Sequence, residues 1–265
     1  MTFSDTALAR RLERAEATAA AKCIESRARA VPQSGAEWTE VAGAYAMFDG
    51  KDSPLTQTFG LGLFAEPSAR DLDQLEAFFH HRGAQVLHEV SPLAGVELAA
   101  MLVVRGFRPI EFTSVMHRPV EAVPVGGTAR LATRLAKPGE EFLVSSVAAA
   151  GWGANPELRE FLLDLGMATA AAEGATAFLA ELDGAPIATG ALCCHGGVAL
   201  FAGASTIPEA RNQGAQRALL QARMRHAAEA GCDLAMMCAA PGSSSQRNAE
   251  RQGFHIAYTR TKWIL

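Results

Sequence analysis

One stretch, Val198 to Arg225 (VALFAGASTIPEARNQGAQRALLQARMR), limits what this 265-residue chain can fold into more than any other. Val198–Thr206 is apolar or small throughout and follows the turn pair Gly196–Gly197, the pattern of a buried strand. Pro208 cannot donate to a sheet ladder, so the strand ends at about Ile207. From Gly214 the spacing changes, and Ala215, Ala218, Leu219 and Ala222 share one helical face. Between strand and helix lies Arg211-Asn212-Gln213-Gly214-Ala215-Gln216, with no side chain suited to cap the helix. The first N–H groups of a helix lack partners and carry partial positive charge. A Gly-containing loop feeding an open helix start, with Arg211 and Arg217 beside it, suits an anionic group such as a pyrophosphate. The plainer alternative is an ordinary strand–loop–helix connection in which Gly214 serves only the turn.

Composition narrows the partners. With 49% hydrophobic and 20% charged residues the chain reads as a soluble globular protein. Its net charge is −4 and its basic residues do not cluster, which argues against nucleic acid. The five cysteines include the adjacent pair Cys193-Cys194 and no CxxC, which predicts a reducing compartment and no zinc site. The N-terminus carries charge where a signal peptide needs an apolar core, and no apolar run reaches membrane-spanning length. A cytoplasmic protein without a membrane partner is expected.

In the first half, Asp5 to Ala30 is Ala-rich, charged and free of Gly and Pro, which predicts one long helix. Gly43–Asp49 and Thr56–Phe64 read as strands around Asp49-Gly50. Gly60-Leu61-Gly62-Leu63-Phe64-Ala65 fits a dinucleotide-binding GxGxxA by letter only: Leu63-Phe64 continue the strand pattern, and Pro67-Ser68 delay the helix. Ser68 with Asp71 forms a capping-box pattern for a helix to Arg82. Gln85–Val90 (strand), Gly95–Arg105 (helix) and Ile110–His117 (strand) follow. His80, His81, His88 and His117 make no ligand spacing with a carboxylate or cysteine and read as surface or satisfied histidines. Pro119 to Thr128 (PVEAVPVGGT) reads as a linker.

In the second half, Ala129–Leu135 reads as a strand, Pro138–Ala150 as a helix and Asn155-Pro156 as a helix start. Ala175–Leu182 and Ile187–Cys194 read as a hairpin around Asp183-Gly184. After the central stretch come a strand (Asp233–Ala239), a turn at Pro241-Gly242, a helix (Ser243–Gln252) and a strand or strand pair (His255–Leu265). The halves match. Gly83, Pro92 and Gly106-Phe107 recur as Gly231, Pro241 and Gly253-Phe254, at offsets of 148, 149 and 147 residues and in the same order of elements. The pattern is that of a duplication.

The run Arg-x-x-Gly-x-Gln after strand-Pro-x-x resembles the acetyl-CoA loop of the GNAT acyltransferase superfamily, whose pattern is Gln/Arg-x-x-Gly-x-Gly/Ala. Arg211 and Gly214 match; Gln216 departs and sets a side chain where the pyrophosphate approaches. The Gln-Gly-Phe before the last strand also resembles the end of a GNAT domain. The resemblance implies an α+β fold with a mixed, mostly antiparallel sheet flanked by helices, in two tandem copies, the first partial. It divides the chain into a degenerate domain (1–118), a linker (119–127) and an acetyl-CoA-binding domain (128–265). The first copy has EPSARDLDQ in place of PEARNQGAQ, so the cofactor is expected only in the second. There the resemblance implies contacts from Ser205, Thr206, Ile207, Arg211, Asn212, Gln213, Gly214, Ala215, Gln216 and Asn248, with pantetheine pairing to backbone near Ser205–Ile207. It also implies direct attack of a small-molecule amine on the thioester, with no covalent enzyme intermediate and no metal.

Acid and base are not assigned. Many GNAT proteins carry a tyrosine four residues before the Gly of Gly-Phe, and here that place is Ala249. Ser244, Ser245, Asn248 and Tyr258 are the available substitutes. Glu181 and His195 are the nearest candidate bases, and solvated or structural roles suit both. Cys238 lacks a sequence-placed activator and reads as a small buried residue. Oligomeric state is not legible. The missing tyrosine and the atypical Gln216 favour the alternative, a non-catalytic acyl-CoA-binding or regulatory module. A tandem-domain aminoacyl or thiol-ligand acyltransferase shares the fold without necessarily sharing the donor.

Overall fold

The computed structural model describes residues 4–121, 130–152 and 156–265. Along the chain come α1 (Thr6–Ala30), β1 (Glu37–Val41), β2 (Ala44–Phe48), β3 (Gln57–Phe59), α2 (Ala69–His80), β4 (Leu87–Val90), α3 (Val96–Val104) and β5 (Arg108–Pro119). They are followed by β6 (Leu131–Leu135), α4 (Glu141–Trp152), α5 (Pro156–Ala170), β7 (Ala175–Leu182), β8 (Ala185–His195) and β9 (Val198–Thr206). The chain closes with α6 (Ala215–Glu229), β10 (Leu234–Ala239), α7 (Ser244–Arg251) and β11 (His255–Ile264). Most of the expected linker and the expected helix cap at Asn155 lie outside the described residues.

The chain forms two compact units, one of residues 1–118 with 236–265 and one of residues 119–235. In the first unit the strand order is β1-β2-β3-β4-β11-β5-β10. Its pairs are antiparallel at β1·β2, β2·β3, β4·β11 and β11·β5; β3 and β4 run parallel and meet only at Thr58 and His88. Alanines of α1 (Ala17, Ala20, Ala21) let that helix lie close on Met47 and Phe59, while Leu72, Leu75, Phe79, Leu98, Leu102 and Phe107 fill the other face. In the second unit β9-β8-β7-β6 form an antiparallel meander. Asp183 (φ 51°) and Gly184 (φ 83°) make its β7–β8 turn, both central residues being left-handed as a type I′ hairpin requires.

Each half therefore contributes strands to an α+β fold with a largely antiparallel sheet, but the units do not follow the halves. The expected division placed residues 236–265 with the second half; in contact terms they pack with the first, because β11 inserts between β4 and β5.

The glycines of the repeated sequence pattern end their helices with matching bonds. Gly83 and Ala84 donate to His80 and Phe79 carbonyls as Gly231 and Cys232 donate to Ala228 and Ala227; Gly106 and Phe107 donate to Val103 and Leu102 as Gly253 and Phe254 donate to Glu250 and Ala249. Each glycine is left-handed, and each closes its helix the same way.

In the first half one strand is additional and two readings are corrected. β1 was not expected; its polar, half-exposed EWTEV lacks a clean alternation. The strand expected over Thr56–Phe64 ends at Phe59, since Gly60 (φ 77°) and Gly62 (φ 78°) turn the chain against α3, where a Cβ on Gly62 would meet Leu98 Cδ2 at 2.6 Å. The GxGxxA letters are thus a turn. His88, expected to be surface or satisfied, is fully buried with both ring nitrogens unpartnered, and burial with the Arg105 charge pushes it down to about 3.

Candidate functional site

Helix α6 starts as the sequence indicates. Gly214 is its N-cap in the left-handed region (φ 83°), and no side chain bonds to the helix start. Residues 211–214 are exposed and Asn212 is also left-handed (φ 65°), so the loop turns its backbone outward ahead of the helix. Ala215 is buried, which seats the first turn of α6 while its leading N–H groups have no intrahelical acceptor. This end of the helix fits an anion.

The comparable helix of the first half is closed. At α2 the Ser68 N–H donates to Asp71 Oδ2 (2.8 Å) and the Asp71 N–H donates to Ser68 Oγ (3.3 Å). A carboxylate already occupies that positive end, and it would repel a second anion.

Around the α6 loop most side chains are committed. The Gln216 side chain turns back toward β9. Its Nε2 donates to the Ser205 carbonyl (2.9 Å) and to Thr206 Oγ1 (2.8 Å), tying the first helical turn to the end of β9. Arg211 Nη2 donates to the Gly151 carbonyl (3.0 Å) at the end of α4, which orients the loop. Ser205 Oγ donates to the Ala148 carbonyl (3.0 Å), and the Ile207 N–H donates to Ile187 O (3.0 Å). Of the backbone groups expected to meet pantetheine, the Ile207 N–H is engaged, while the Ser205 carbonyl keeps a second lone pair. Asn212 and Gln213 are exposed, as is Asn248, which lies on α7 in the other compact unit and accepts from Arg251 Nη1 (3.4 Å).

The candidate acids and bases divide. Tyr258 is buried and its hydroxyl donates to Glu13 Oε1 (2.8 Å), so it is not free to protonate a leaving group. Ala249 is buried, whereas Ser244 and Ser245 are exposed on α7. Glu181 has a structural task, accepting from Arg134 Nε (2.7 Å) while Glu140 takes the other side of the same guanidinium. His195 is exposed at the end of β8. Cys238 Sγ donates to Glu16 Oε2 (3.5 Å), and burial pushes its thiol well above the usual range, which removes it as a nucleophile.

The sequence offered no hint of the buried ionic cluster around Arg260. Its guanidinium meets Glu16 Oε1 (2.9 Å), Glu89 Oε2 (2.9 Å) and, at 3.5 Å, Glu13, while Lys262 Nζ reaches Glu89 (3.4 Å). Glu13 and Glu16 stand three residues apart on α1, a spacing common on any charged helix, so only the fold picks them out.

Fold and helix start together describe a mixed-sheet protein in which the strand–loop–helix after β9 leaves its helix start uncapped. Residues 139–241 match the family model of the acetyltransferase (GNAT) domain. A GCN5-related N-acetyltransferase from Kribbella flavida is similar in structure, with TM-score 0.65, 18% identity and coverage of 92% of this chain and 95% of that one. A GCN5-related N-acetyltransferase from Sphaerobacter thermophilus gives 0.58, 15%, 84% and 76%. A tandem GNAT protein from the clavulanic acid biosynthesis pathway gives 0.59, 12%, 85% and 78%. No curated protein is similar to this chain in sequence. Residues 139–241 thus match a GNAT acetyltransferase domain, and the chain shares the fold of GNAT proteins, a tandem one among them. GNAT acetyltransferases as a family transfer an acyl group from acetyl-CoA. Among the described residues, no helix is long and apolar enough to cross a membrane.

Proposed function

We propose that the protein is an acetyl-CoA-dependent N-acetyltransferase acting on a small-molecule amine in the cytoplasm. The observation that carries this reading is the uncapped start of α6 behind left-handed Gly214, against the carboxylate-capped start of α2. In this reading the N–H groups from Asn212 to Gln216 receive the pyrophosphate, Arg211 adds positive charge, and backbone from Ser205 to Ile207 runs beside pantetheine. The neutral amine attacks the thioester carbonyl, its extra proton leaves to solvent or a base, and the CoA thiolate departs. A backbone N–H steadies the developing oxyanion.

The test is acetyl-CoA binding by calorimetry to the full chain and to Gly214→Glu. The carboxylate at the helix start, at a left-handed position, is expected to reduce affinity at least 100-fold; undiminished binding would overturn the loop assignment.

The acceptor follows from the absence of an assigned base. A lysine-type amine of pKa about 10.4 costs about 4.6 kcal/mol to deprotonate at pH 7, whereas an α-amino group near 7.7–8 costs about 1–1.4 kcal/mol. An acceptor of the easier kind, such as an α-amino group, an aminoglycoside-like amine or an arylamine, is therefore proposed. Matched-saturation rates at pH 7 should favour an α-amine over an ε-amine; a faster ε-amine would mean that a base is present.

A second reading, a non-catalytic acyl-CoA-binding or regulatory module, draws on one observation: Ala249 replaces the family's tyrosine and Tyr258 is held by Glu13. Binding of CoA without turnover across an amine panel would select it.

A further inference from the structure

Arg223 lies on α6 at 3% exposure, and among the described residues no carboxylate pairs with it. A guanidinium taken out of water without a counter-charge is costly, so its neighbours must compensate. They are backbone carbonyls: Nη1 lies 3.3 Å from Ala191 O and 3.4 Å from Ala202 O, and Nε donates to Leu219 O at 3.3 Å. The guanidinium also sits over the Phe201 ring, 5.0 Å from its centroid. Gly190 leaves the space for it, since a Cβ there would stand 2.9 Å from Arg223 Cζ.

Both carbonyls border an irregularity. Thr189 pairs with Ser205 and Ala191 with Ala202, so β9 holds one more residue than β8 across this interval. In that bulge Gly203 is left-handed (φ 59°), and Gly203 and Ala204 are exposed in the middle of a strand otherwise mostly covered. A peptide is planar and trans, so a guanidinium that holds the Ala202 carbonyl toward α6 aims the Gly203 N–H the opposite way.

We propose that Arg223 is a positioning residue for acyl transfer: by clamping the Ala191 and Ala202 carbonyls it fixes the β9 bulge so that the Gly203 N–H faces the thioester carbonyl. This rests on the acyltransferase reading above, and it assigns that reading's unlocated backbone donor to Gly203. The clamp acts on the developing oxyanion and not on the pyrophosphate, so it belongs to turnover and not to cofactor affinity. A cation is used because one guanidinium donates to several carbonyls at once, which no neutral side chain in that volume does.

Two variants displace the clamp by different routes. Arg223→Met removes the donors but fills the volume; Gly190→Ala leaves the charge and pushes the guanidinium off the carbonyls. In the full-length protein both are expected to bind CoA within about twofold of wild type and to lose about 100-fold in kcat, the loss typical of one oxyanion donor. Arg223→Met should not lower the thermal midpoint, because an apolar side chain replaces an unpaired buried charge. Arg223→Lys, with fewer donors, should fall between. A kcat within threefold of wild type, or CoA affinity falling in step with kcat, overturns the proposal. A second readout needs no turnover: the Gly203 amide resonance should shift when acetyl-CoA binds wild type and should not shift in Arg223→Met saturated with it. An equal shift in both proteins overturns the clamp, even where no amine is acetylated. A shift in wild type alone without turnover supports the clamp and counts against the acyltransferase reading.

Discussion

Glu13 shows how the fold changes the chemistry of a single residue. It is 1% exposed, accepts from the Tyr258 hydroxyl, and faces Arg260, Glu16 and Glu89. Burial outweighs the attraction of Arg260, and the carboxyl is pushed up from 4.5 to about 7. Between those values the folded protein keeps a proton that the unfolded chain releases. This contribution to stability is therefore fully present below pH 4.5 and is lost as pH rises through 7. Glu13→Gln should remove that dependence. Denaturant unfolding at pH 5 and pH 8 should show wild type losing about 2–3 kcal/mol more than the variant over the same interval. Buried His88 acts with the opposite sign, losing stability as pH falls below 6.5, but it is present in both proteins and cancels. An unchanged difference between the two pH values would remove Glu13 from this role.

Among the elements, α4 and β9 are set by one glycine. A Cβ on Gly151 would meet Ser205 Oγ at 2.5 Å, Ser205 Cβ at 2.7 Å and the Thr206 nitrogen at 2.9 Å. Gly151→Ala must therefore push the end of α4 away from β9, at a cost of about 1–3 kcal/mol in unfolding free energy. It should also weaken CoA binding, because the Gly151 carbonyl holds Arg211 and Ser205 bonds within the same helix. Retained stability with intact CoA affinity would show that the contact relaxes freely. Local signals identified much at this scale: Pro208 ended β9, Asp183-Gly184 made its hairpin, and Ser68 with Asp71 made their capping box. They failed where the cause is distant, as at β3, which stops because Gly62 closes on α3.

At the scale of the molecule, β11 is paired on both edges by strands of the first half, β4 and β5. Its Arg260 is neutralised by Glu13 and Glu16 of α1 and by Glu89 of β4. Expression of residues 120–265 alone should therefore yield aggregated or poorly folded protein, since it strips β11 of both neighbours and leaves a buried cation unpaired. Co-expression with residues 1–119 should restore solubility. A monomeric fragment with a cooperative unfolding transition would show instead that each half folds by itself.

The sequence by itself determined the local chemistry: the strand that stops at a proline, the uncapped helix behind Gly214, and the Gly and Gly-Phe marks that repeat at 147–149 residues. These depend on backbone conformation and short-range hydrogen bonds, which a few neighbouring residues decide. Which half's last strand pairs with which was decided only by the tertiary structure. The two halves end alike, with helix, Gly-Phe and strand, so either strand can enter either position with similar local pairing. What selects the arrangement is the buried meeting of Arg260 with carboxylates some 170 to 250 residues away in sequence, a contact that exists only once the chain has folded.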